Sequence, residues 1–154
     1  MAAAIEIDKL VMTYPGRGRR VEVLKGLSLQ VNPGTVFGFL GTNGAGKTTT
    51  MHVLLGFVEF ASGSAHIFGT DVRQSIARQR IGYLPEHPET YSFLTGRELL
   101  LMAGHLFAMR GRVLKDRCRL LIDQVGLSDA ADRRIGTYSR GMMQRIGIAQ
   151  ALIN

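Results

Sequence analysis

Gly41-Thr42-Asn43-Gly44-Ala45-Gly46-Lys47-Thr48-Thr49 decides the fold of this 154-residue chain. Its spacing, G-x-x-x-x-G-K-[ST], is that of a P-loop. An apolar run of strand type, Thr35-Val36-Phe37-Gly38-Phe39-Leu40, precedes it, and Lys47 to Leu55 reads as a helix entering the core. Strand, glycine loop and helix together are the context that gives the motif meaning. A triphosphate needs many hydrogen-bond donors close together. Gly44 and Gly46 lack a Cβ, so the backbone can wrap closely and turn its N–H groups inward. The helix N-terminus adds its positive end. Lys47 is expected to reach the β- and γ-phosphates, and the Thr48 hydroxyl to hold Mg²⁺.

Working outward, the chain is long enough for one compact domain, and its 45% hydrophobic content is globular. The longest apolar stretch, Leu99 to Met109, includes Gly104 and His105 and falls short of the ~20 residues of a membrane span. The N-terminus carries Glu6 and Asp8 where a signal peptide would carry Lys or Arg. The reading is of a soluble, cytoplasmic chain. One cysteine, Cys118, excludes an internal disulfide, and the four histidines have no metal-ligand spacing. The net charge of +7 is spread along the chain, with clusters only at Arg17 to Arg20 and Arg110 to Arg119. That spread argues against nucleic acid. The second cluster suits a solvated helix face, a phosphate or a membrane headgroup layer.

Upstream of the loop, Ile5 to Met12, Val21 to Leu24 and Leu27 to Val31 alternate as strands. Thr13 to Gly16 and Asn32-Pro33-Gly34 read as turns, which makes an antiparallel sheet before the nucleotide-binding strand. Tyr14, on its own, is a tyrosine in a turn. Downstream, Ala61 to Ser64 is a turn, Ala65 to Gly69 a strand, Ser75 to Arg80 a short helix and Ile81 to Leu84 an apolar strand. Pro85 and Pro88 force Glu86-His87-Pro88-Glu89 out of the sheet. Thr95-Gly96-Arg97-Glu98 is a capping box for a helix with Leu99, Met102, Ala103 and Leu106 on one face. A second helix follows through Leu114, Cys118, Leu121 and Val125, ended by Gly126. Leu120-Leu121-Ile122-Asp123 imitates an apolar strand ending in a magnesium-binding Asp, but it continues the helical period. Ser139 can cap a last helix from about Gly141, and a Ser and Gly at a helix start can also hold an anion.

Together these segments resemble the ATP-binding domain of an ABC transporter. The loop from Gly41 to Thr49 matches the family's Walker A motif in full. Tyr138-Ser139-Arg140-Gly141-Met142 sits at the Leu-Ser-Gly-Gly-Gln signature, matching at Ser139 and Gly141, in a style seen in exporter ATPases. Gln144-Arg145 and the Ala149 to Leu152 run strengthen the match. The resemblance implies an α/β fold: a P-loop NTPase core with an N-terminal antiparallel β subdomain and an inserted α-helical subdomain. It implies three parts, 1–86, 87–137 and 138–154, with truncation before the Walker B strand.

The resemblance also assigns roles. Gly41, Thr42, Asn43, Gly44, Ala45, Gly46, Lys47, Thr48 and Thr49 would hold ATP. Tyr14 would stack on adenine, and Glu86, in place of the Q-loop Gln, would approach Mg²⁺ beside Thr48. Lys47 and Glu86 would act catalytically. Ser139 and Gly141 would donate to the γ-phosphate held by a second ATP-binding subunit, alike or different. A transmembrane permease would be the other partner, with no nucleic acid, placing the protein on the inner face of the cell membrane. No Asp-Glu pair occurs in the sequence. The full-length protein would be an ATPase coupled to transport, with export as the direction; the 154-residue chain alone would not turn over. The alternative is a soluble ABC-type ATPase acting on the ribosome or nucleic acid. A GTPase would need an Asn-Lys-x-Asp base reader, which is missing from the sequence.

Overall fold

In the computed structural model, which describes residues 2–16, 18–86 and 91–154, the chain folds as two compact units, 1–81 and 82–154. The first is built on four strands: β1 (Ile5–Pro15), β2 (Arg20–Val31), β3 (Ser62–Ile67) and β4 (Thr70–Asp71). They form one antiparallel sheet in the order β2-β1-β3-β4. Helix α1 (Lys47–Leu54) and the short α2 (Ser75–Arg78) complete the unit. Alternation along β1, reset by a register shift between Ile7 and Leu10, turns Ile7, Leu10 and Met12 inward, where they meet Leu24, Ala65 and Val53.

Four local readings are corrected here. Tyr14 is not in a turn: β1 continues through Pro15, Tyr14 faces Val21, and the reversal is closed by Gly16 N–H donating to Arg19 O at 3.0 Å. The segments 21–24 and 27–31 are one strand. Gly26, at φ +81°, is an extra residue between the pairs Leu10–Leu27 and Val11–Lys25, so what reads as a break is a bulge. Ser62, Gly63 and Ser64 belong to β3 rather than to a turn. The apolar runs 35–40 and 81–84 are not strands among the described residues. A strand is defined by its ladder partner, and neither segment has one in the sheet. Gly82 instead packs against the end of the last helix, where a Cβ would lie 2.3 Å from Ala151 O.

The second unit is helical: α3 (Gly96–Leu106), α4 (Gly111–Gln124) and α5 (Arg140–Ala151), with 3-10 turns at Ser128–Ala130 and Ile135–Thr137. Both halves of the capping box on Thr95 and Glu98 form. Glu98 accepts from the Thr95 N–H at 2.8 Å, which holds its carboxyl below the usual range. Leu99, Leu100, Leu114, Cys118, Leu121 and Ile146 form the centre of its core. Residues 120–123 are helical, so the imitation of a magnesium-binding strand is indeed a helix. Pro85 and Glu86 are outside the sheet; His87, Pro88 and Glu89 lie outside the described residues.

Helices α1, α3 and α4 end alike. After α1, Gly56 and Phe57 N–H donate to Val53 O and His52 O, both at 2.9 Å. After α3, Ala108 and Met109 donate to His105 O and Gly104 O at 3.0 Å. After α4, Gly126 and Leu127 donate to Asp123 O and Ile122 O. This is the Schellman arrangement, whose pivot residue is left-handed. Glycine supplies it at 56 and 126, but at 108 it is alanine, with φ +59°.

Candidate phosphate loop and signature helix

The glycine loop enters α1 at Gly46, the N-cap, with φ +89°. A Cβ there would fall 2.6 Å from Leu24 Cδ2. Glycine is therefore required twice, for the backbone angle and for the close approach to β2. Thr50 locks the turn from below: buried, it donates through Oγ1 to Gly46 O at 2.9 Å, and its N–H reaches the same oxygen at 2.8 Å. Sequence reasoning missed Thr50 and Leu24; the four-residue step from Gly46 to Thr50 is the signal that could have found the first.

Lys47 Nζ donates to Gly41 O at 2.6 Å and Thr42 O at 2.8 Å. The ammonium thus fastens the start of the loop to the start of the helix. Around Gly44, at φ +82°, a Cβ would meet nothing within 4 Å, so the loop's outer side is open. Asn43, Gly44, Ala45 and Thr48 are exposed there. A cavity of about 340 Å³ beside it is lined by Val23 to Leu27, Phe39, Leu40, Ala45, Lys47 and Thr50. Tyr14 is not in that lining; it is half-buried against the first core. The donor set is a cation, a ring of small-residue backbone and a helix start. It suits a polyphosphate, and no carboxylate lines the cavity.

The second unit carries Glu86, Ser139 and Gly141. Ser139 is the N-cap of α5 and accepts from Met142 N–H at 3.3 Å. Gly141 sits in open space, so the first turn of α5 is accessible. Two residues not assigned a role from sequence hold this turn in place. Tyr138 donates to Ala130 O at 2.7 Å, and burial pushes its phenol up. Arg145, one turn along α5, donates to Val125 O at 3.2 Å and Gly126 O at 2.9 Å, covering the end of α4. Gly96 makes room for Tyr138: a Cβ there would lie 2.5 Å from the phenol oxygen. Glu86 is exposed in the segment before residue 87. Among the described residues no three His, Cys, Asp or Glu side chains form a metal cluster, and no helix is long and apolar enough to cross a membrane.

A glycine loop wrapped over a helix start, with its lysine at the mouth, defines a phosphate-binding α/β domain. The sequence pattern of the ABC transporter family matches residues 24–154. An uncharacterized ABC transporter ATP-binding protein of Nostoc sp. is 43% identical over 97% of this chain and 45% of its own length. The Nod factor export ATP-binding protein I of Paraburkholderia xenovorans is 38% identical over 99% and 49%. A solved ATP-binding subunit of an ABC transporter superposes with a TM-score of 0.81 at 26% identity, covering 97% of this chain and 62% of that one. This chain belongs to the ABC transporter family, as an ATP-binding protein. It spans about half the length of the curated relatives it matches.

Proposed function

We propose that this chain is the nucleotide-binding half of a transporter ATPase that couples ATP binding and hydrolysis to export. The observation that carries this is the loop geometry: Lys47 held at the mouth of an open glycine loop on the N-terminus of α1. In this reading residues 41–49 cradle the β- and γ-phosphates, Lys47 neutralises them, and the Thr48 hydroxyl holds Mg²⁺. The metal would draw charge from the phosphate oxygens; this chain's own part is to bind and orient. Tyr14 stacks on the base. Export is favoured by the Tyr-Ser-Arg-Gly-Met signature and by the similarity to the Nod factor export protein of Paraburkholderia.

Ser139 and Gly141 act on the nucleotide of a second ATP-binding subunit. The accessible first turn of α5 supports this, because an anion can approach its N–H groups. A transmembrane permease receives the closure, with this protein seated on the inner face of the membrane. Residues 1–86, 87–137 and 138–154 divide the labour as loop and sheet, permease-facing helices, and signature. The 154 residues alone bind nucleotide without turnover.

The test is titration of a fluorescent ATP analogue into the intact protein with Mg²⁺. Wild type binds, Lys47→Ala loses at least about tenfold in affinity, and Ser139→Arg binds normally but fails to dimerise with ATP. Equal binding by Lys47→Ala would sink the assignment. Tight RNA binding, with dimerisation unaffected by Ser139→Arg, would favour a ribosome- or nucleic-acid-directed ATPase instead.

A further inference from the structure

The elbow between α3 and α4 has a surface that nucleotide chemistry does not use. Leu106 and Phe107 at the end of α3 are 81% and 52% exposed, and Val113 in the first turn of α4 is 70% exposed. Between them the chain turns through left-handed residues at Ala108 and Gly111, so all three lie on the one connection from α3 into α4. Met109 points the other way and packs against the helical core. The elbow therefore sorts its side chains: one apolar residue in, three out.

The polar groups on the same turn are His105, Arg110 and Arg112, all exposed. Arg110 is held in place by donating to His105 O at 2.9 Å and Met109 O at 2.7 Å. The Arg112 side chain is 93% exposed, with Asp116 3.4 Å away along α4. From 110 to 119 the chain carries Arg110, Arg112, Lys115, Arg117 and Arg119 against the single acid Asp116. Asp116 also lies 3.8 Å from Arg119, so this acid is already shared between two guanidiniums. Arg117 is turned to the Leu152 and Asn154 carbonyls, which leaves Arg110, Arg112, Lys115 and Arg119 as the exposed cations. Exposed large apolar groups next in sequence to exposed cations, at a tight turn, match a surface that is negative outside and greasy beneath.

We propose that the elbow at residues 105–113 is a direct contact for anionic lipid: Phe107, Leu106 and Val113 enter the acyl boundary while Arg112 and Arg110 meet the headgroups. The choice of lipid over a protein partner rests on charge complementarity, with apolar protrusions instead of a groove. It goes beyond the permease contact, because it needs no other protein. The shallow insertion of three side chains gives a weak, reversible anchor, strengthened by the cations on α4.

The test is sedimentation of the intact protein with vesicles of phosphatidylcholine alone or with a third phosphatidylglycerol, free of any permease. The protein is expected to pellet with the anionic vesicles at ~0.1 M salt and to be released at ~0.5 M, where screening is stronger. Leu106→Gln with Phe107→Ser is expected to lower partitioning by at least about tenfold, since the apolar area is lost. Arg112→Gln is expected to lower it roughly fivefold. Both changes are at exposed positions, and unchanged helical circular dichroism of the variants checks the fold. Arg112→Gln and the two lipid compositions keep the test decisive if the double variant unfolds. Failure to pellet with anionic vesicles, equal pelleting with neutral ones, or variants that pellet like wild type would overturn the proposal. So would a self-association that needs Leu106 and Phe107 but no lipid.

Discussion

Lys47 has two jobs that a single substitution separates. Its ammonium ties Gly41 and Thr42 to the helix start, and it presents a positive charge to phosphate. Lys47→Arg keeps the charge but replaces a point donor with a planar fork. It is expected to weaken ATP-analogue binding nearly as much as Lys47→Ala, measured by fluorescence titration. Ala108 tests backbone strain. A non-glycine residue in the left-handed region costs about 1 kcal/mol, and the exposed Ala108 methyl loses little packing, so Ala108→Gly should stabilise the protein by about 0.5–1 kcal/mol in urea unfolding. Asp71 tests charge. It accepts from the Arg73 N–H at 2.9 Å and Nε at 3.0 Å, and the side-chain hydrogen bond to Arg73 is the main reason its carboxyl is lowered to about 2. Its unfolded value is about 4. A depressed folded value means the stabilisation is full above about pH 4 and is lost as pH falls through about 2. Asp71→Asn should therefore be less stable than wild type at neutral pH, with the gap closing between pH 4 and 2.

At the scale of elements, the helices were legible because their signals are local. The capping box at Thr95 and Glu98, the period through Leu114, Cys118 and Leu121, and Ser139 ahead of α5 each lie within a few residues. Strands are different, because a neighbour decides them. Val36 to Leu40 has strand composition but no ladder partner, and Gly26 looks like a stop when it is a bulge. The phosphate loop was legible as a motif; the groups that brace it, Leu24 and Thr50, and those that brace the signature, Tyr138 and Arg145, were not. Thr50 leaves only its four-residue step from Gly46; Leu24, Tyr138 and Arg145 act on residues further away in sequence, which leaves no spacing rule. Gly104 shows the same limit. It reads as a blemish in α3, yet a Cβ there would lie 2.2 Å from Leu114 Cδ1. Helix propensity favours alanine by up to ~1 kcal/mol. Leu114 is 1% exposed and has no room to retreat, so overpacking should win. Gly104→Ala is expected to destabilise by about 1–3 kcal/mol, read from denaturant midpoints.

At the scale of the whole chain, the segment that leads into the loop, residues 35–40, has no ladder partner in the sheet. Phe39 is half-buried, but Val36 and Leu40 are essentially bare, Leu40 at 91% exposure, and Phe37 is half-exposed. Burying a Val, Leu or Phe side chain is worth about 1.5–3 kcal/mol each, so this surface is a substantial stability deficit close in sequence to Lys47. Unpaired backbone on the same segment adds a template for pairing with other chains. The 154-residue polypeptide on its own is therefore expected to bind a hydrophobic dye strongly and to aggregate on warming. Replacing Val36 and Leu40 together with Thr should cut the dye signal without affecting α3, α4 and α5, which belong to the other unit. ATP should act in the same direction: a ligand that orders residues 41–49 binds only the folded loop, so saturation should raise the midpoint of the first unit by mass action. A sharp thermal transition without dye binding, indifferent to ATP, would mean that residues 35–40 are already covered, and that the loop needs no added strand to keep its shape.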